Sequence, residues 1–169
     1  LWHGQVSGVS WRGDVLGAIN LESDFLSVIG GGPSHEIHWN GSAGHGSARV
    51  RLGTHGAQAE DITLSLPVTQ QLGFDSMLSR LGGSVRVSDG RVNYKDGTCR
   101  MASGKVTTDL VRLTAASFDR DWPVLTGPLS CEGSELVARL SGEAADGTGI
   151  VLTGGVMTGL RIVLSNTDN

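Results

Sequence analysis

The chain has 169 residues, enough for one domain at roughly 150 residues each. Lys and Arg number 13 against 17 Asp and Glu, a net charge of −4 with no basic run, so nucleic acid and anionic membrane surfaces are poor electrostatic partners. Glycine is abundant (26 residues) without recurring at every third position, and charged residues make up only 18%, which excludes collagen and argues for many short strands and tight turns rather than helical bundles.

The chain opens on Leu1-Trp2 rather than on methionine. Apolar runs are only a few residues long, so nothing here spans a bilayer as a helix, and any export signal or anchor is expected upstream. Gly30-Gly31-Gly32-Pro33 and Gly41-Ser42-Ala43-Gly44 share only their glycine content with phosphate-binding loops and read as turns. His35-Glu36-Ile37-His38-Trp39 reads as a strand with Ile37 and Trp39 inward. His35 and His38 then point to opposite faces and cannot share a metal ion.

Period-two alternation follows. Ala48, Val50 and Leu52 share one face against Ser47, Arg49 and Arg51; Ile62, Leu64 and Leu66 alternate with Asp61, Thr63 and Ser65. Pro67 stands where a helix would begin, and Val68, Leu72, Met77, Leu78 and Leu81 continue at helical spacing until Gly82-Gly83. One short helix is therefore expected near 67–81.

Two Asp-Gly pairs come next, Asp89-Gly90 and Asp96-Gly97. Each reads as a two-residue hairpin loop of the type that needs positive φ, which predicts a three-stranded meander over about 84–103. Its inner face would be Val85, Val87, Val92, Tyr94, Cys99 and Met101, with a bulge expected at Ser103-Gly104. Asp146-Gly147 marks a further hairpin, and Leu160, Ile162 and Leu164 alternate with Arg161 and Ser165 near the end.

The sum is about eleven to fourteen short strands in sequential antiparallel order. A sheet that large must curl, close or split, so the expected fold is all-β: a strongly curved, rolled sheet, partly open and barrel-like, with a β-sandwich as the alternative.

Few residues invite chemistry. Cys99 and Cys131 are the only cysteines and lie outside any Cys-x-x-Cys pattern. They read either as a disulfide stapling two strands in an oxidising compartment or as two buried thiols. No Gly-x-Ser-x-Gly elbow occurs, no carboxylate pair stands out, and no residue pattern calls for a metal or cofactor, so no catalytic residue is assigned. Of Trp2, Trp11, Trp39 and Trp122, the last is flanked by charges and is the candidate for an exposed, partner-binding side chain.

Three stretches resemble the type II secretion system protein N family: LWHGQVSGVSWRG at the start, DITLSLPVTQQLG running on to LGGSVRVSDGRV in the centre, and CRMASGKV followed by GPLSCEGSELVARLSG in the tail. The resemblance implies a non-catalytic accessory subunit of the bacterial secretion machine, a single periplasmic domain over 1–169. It further implies an inner-membrane anchor helix before Leu1, and partners among the secretin or the inner-membrane platform. In the periplasm a Cys99–Cys131 bond can form. Two other readings stay open: a periplasmic groove protein for lipid or another hydrophobic ligand, similar to the AsmA-like group, and a carbohydrate-binding module using the tryptophans.

Overall fold

The computed structural model describes residues 2–11, 14–24, 33–68, 82–112, 121–155 and 159–165. They form one sheet of eleven strands in sequence order, every neighbour antiparallel. The strands are β1 (Trp2–Trp11), β2 (Asp14–Asp24), β3 (Ser34–Gly41), β4 (Gly44–Gly53), β5 (Gly56–Pro67), β6 (Ser84–Lys95), β7 (Thr98–Thr108), β8 (Leu125–Glu132), β9 (Glu135–Glu143), β10 (Gly149–Gly155) and β11 (Gly159–Ser165). Among the described residues β1 and β11 do not pair, so the sheet is not closed into a barrel. The all-β expectation, the strand count and the sequential order are borne out.

The helix expected near 67–81 is not placed. Pro67 ends β5 and pairs with Ser84, and the Val68 N–H donates to Gly83 O at 2.9 Å. Residues 69–81 lie outside the described residues.

The two Asp-Gly pairs part company. At Asp96-Gly97 both residues take positive φ, 51° and 72°, and the chain reverses between β6 and β7. Asp89 has φ 52° but Gly90 is not left-handed, and β6 runs through both. A reversal of the I′ kind needs two consecutive positive φ values, whereas one left-handed residue inserted in a ladder makes a bulge. The predicted three-stranded meander is thus corrected: residues 84–95 are one bent strand. Gly90 must lack a side chain because Ile62 Cβ lies 2.8 Å from where its Cβ would stand.

Asp61, with φ 52°, makes the matching extra residue in β5. The two bulges sit on adjacent strands, and Gly104 of β7 (φ 137°) backs directly onto Gly90. Asp61, Asp89 and Gly104 form a crease across the centre of the sheet, adding bend and twist there. The irregularity expected at Ser103-Gly104 is present, since the register shifts between Ser88↔Lys105 and Arg91↔Ser103 with the extra residue on β6, and β7 has a second shift earlier. Tyr94 pairs with Cys99 while Asn93 pairs with Met101, so Arg100 is the extra residue and Met101 turns outward, 49% exposed.

The buried core lies under the later strands. Leu125, Leu140 and Ile150 are its most enclosed large side chains, joined by Val106 and Leu152 from strands and by Val68, Leu110 and Val111 from connections. Each such aliphatic side chain contributes roughly 1.5–3 kcal/mol through burial. The described ends of the β7–β8 connection thus contribute Leu110, Val111 and Trp122 to this cluster.

Candidate functional site

Cys99 and Cys131 are bonded to each other, with Cα atoms 5.6 Å apart. Their place explains the bond's use. β7 and β8 pair only from Lys105↔Pro128 to Thr108↔Leu125. Beyond that the ladder lapses, and the far ends are held by the disulfide and by the Cys99 N–H donating to Ser134 O at 2.9 Å. The covalent link spans a seam whose backbone pairing is confined to four rungs. In the chain-entropy account, a link closing 32 residues stabilises by roughly 3–4 kcal/mol.

Trp122 corrects the expectation of an exposed aromatic. It is half-buried and packs against the core cluster with Leu129 and Ala138. Charged neighbours in sequence misled the reading, because the backbone there is irregular and lets adjacent residues face opposite ways. Trp39 is also half-buried, with its ring folded over Gly44 of β4 and only 3.1 Å from where a Cβ would stand. The side chains of Trp2 and Trp11 lie outside the description, as do Gly30, Gly31 and Gly32.

The histidine pair behaves as strand periodicity requires. His35 lies on the inner face, where its Nδ1 and the hydroxyl of buried Ser23 share a 2.7 Å hydrogen bond. His38 is on the outer face beside Glu36, 3.3 Å away. The two rings cannot converge on one ion.

A polar knot missed by sequence reasoning sets the course of the β7–β8 connection where it leaves β7. Asp109 Oδ1 accepts from the Ser84 N–H at 2.7 Å and from the Ser84 hydroxyl at 3.3 Å. Thr108 Oγ1 donates to Ser84 O at 2.8 Å and accepts from the Leu110 N–H at 3.2 Å. These bonds satisfy the strand ends and aim Leu110 and Val111 into the core. The only trace in the sequence is Thr107-Thr108-Asp109, a pattern of side chains that bond nearby backbone.

Two clefts open nearby. One of about 230 Å³ is lined by Ser84, Arg86, Thr107, Asp109, Arg112 and Val124. The other, about 310 Å³, lies where the β4–β5 turn meets the end of β6, around His55, Gln58 and Tyr94. The two turns touch there: the Asp96 N–H donates to His55 O at 2.8 Å. Both clefts mix polar and apolar walls, unlike a hydrophobic trough.

The arrangement is therefore one of surfaces, with one face of the later strands carrying the aliphatic core cluster. The family model of type II secretion system (T2SS), protein N, matches residues 1–159. The chain belongs to this family. Membership in the protein N family implies an accessory subunit of the secretion machine and a place in the bacterial envelope. Among the described residues of this family member, no helix is long and apolar enough to cross a membrane. Comparison with curated proteins and with solved structures finds no match.

Proposed function

We propose that residues 1–169 are the single periplasmic domain of a non-catalytic docking subunit, tethered to the inner membrane by a helix preceding Leu1. Its partners are the outer-membrane secretin or the inner-membrane platform, and it contacts them through sheet edges or an exposed sheet face. The observation that carries this reading is the family match over residues 1–159. The Cys99–Cys131 bond supports an oxidising compartment such as the periplasm. The aliphatic cluster packed on one face of β6–β10 favours docking over carriage of a hydrophobic ligand, which needs that volume empty. The half-buried Trp39 and Trp122 weigh against a tryptophan platform for sugars.

The test is affinity capture of the tagged domain with the secretin and the platform proteins of the same organism. Retention of at least one secretion subunit is expected. Association with none of them would overturn the reading.

A further inference from the structure

The sheet has two edges, and they differ in kind. At one edge the β1–β2 ladder breaks twice, once at Gly8 and again before Ser10. Bulges of this sort twist an edge away from a new partner. At the other edge β11 is regular: seven consecutive pairs run from Gly149↔Ser165 to Gly155↔Gly159 without a shift. Its sequence, GLRIVLS, holds no Pro, no Lys and no acidic residue, and Arg161 is the one charge that guards it against strand addition.

All seven residues of β11 are exposed. Leu160, Ile162, Val163 and Leu164 are 38%, 45%, 45% and 60% accessible, half of the large exposed hydrophobics among the described residues. The register shows what they continue. Ile162 pairs with Leu152, and Leu164 with Ile150, both enclosed core residues. The core face therefore runs on to Leu160, Ile162 and Leu164 and stops at an edge uncovered among the described residues. Family membership assigns this strand nothing, since the match ends at its first residue.

We propose that β11 of one copy pairs antiparallel with β11 of a second copy about a two-fold axis at Ile162. In that register Ile162 faces Ile162 and Leu160 faces Leu164, so the two core faces join. The single charge, Arg161, falls opposite Val163 of the other copy, which avoids placing like charges face to face. The strand carries no acidic residue although the chain is net acidic, so the seam brings no carboxylates together. The irregular, glycine-bearing β1 is a poorer match, which disfavours the head-to-tail alternative. One seven-residue strand buries less than the ~800 Å² per partner of a standard interface, so the dimer is weak and concentration-dependent. This inference does not depend on the docking reading above.

Sedimentation equilibrium of the 169-residue chain over a wide concentration range tests it. The mass should rise from 17.6 kDa towards twice that value as concentration increases. Ile162→Lys should hold the chain monomeric, Ile162→Glu likewise, and an equimolar mixture of the two should recover dimer, because position 162 faces itself. Circular dichroism checks that each variant keeps its strands. If Ile162 variants fail to fold, Leu164→Lys, at the most exposed of these positions, serves for the loss of dimer. A monomer at every concentration, a dimer indifferent to both substitutions, or open-ended growth from β11 meeting β1 would each overturn the proposal.

Discussion

Strands β2–β5 and strands β6–β10 obey the same alternation yet solve the packing problem differently. In β6–β10 one face carries large buried aliphatics, joined by Leu110, Val111 and Trp122 from the β7–β8 connection. In β2–β5 the corresponding side chains are only half-buried, and the buried residues described there are small: Ser23, Ala43 and Gly44. Close packing is reached by another route. Gly44 and Gly46 on β4 leave bare backbone on which Trp39 and Leu66, and then Leu64, lie. A long sheet thus needs one well-packed stretch to anchor it, and neighbouring strands can be held by ladder bonds and by side chains lying over glycine.

The contrast can be broken by cavity-making substitutions. Leu125→Ala, at a side chain with 0% exposure, should cost about 3–4 kcal/mol in urea unfolding. Ile37→Ala on half-buried β3 should cost about 1 kcal/mol, and equal losses at the two positions would erase the distinction. Replacing both cysteines by serine should cost about 2–4 kcal/mol. Hydrogen exchange should then quicken in 98–104 and 129–132, where the β7–β8 ladder lapses, more than in 105–108.

Gly46→Ala sharpens the account of the earlier strands. Its Cβ would stand 2.7 Å from Thr63 O and 2.9 Å from Leu64 Cδ1, so a loss of about 1–3 kcal/mol is expected although the side chain added is only a methyl. The smallest effect is expected at the crease's surface. Arg49 donates to Asp61 at 2.8 Å, but both side chains are largely exposed, so Arg49→Ala should shift stability by no more than about 0.5 kcal/mol.

Much of this fold was legible because its signals are local. Alternation placed Ile62, Leu64 and Leu66 on the inner side, and Asp96-Gly97 named its own turn. Asp89-Gly90 was misread because the same dipeptide serves a reversal or a bulge, and which it serves depends on long-range pairing such as that of Gly90 with Ile62 of β5. Met101 was misassigned for a related reason: one extra residue at Arg100 reverses the parity. The position of the core was not legible at all. Both halves alternate alike, and what separates them is a long-range event, the packing of Leu110 and Val111 into the core cluster, steered by the Ser84–Asp109 bonds. The cysteines could be seen as a pair, but the reason for their bond, a seam with four paired rungs, exists only in three dimensions.

Native-state hydrogen exchange on the oxidised chain tests the central division most directly. Amides of β7–β10 around Leu125, Leu140 and Ile150 should exchange only through global unfolding, while those of β2–β5 exchange through smaller openings at lower free energy. Uniform protection across all these strands, or stronger protection in β2–β5, would contradict the account.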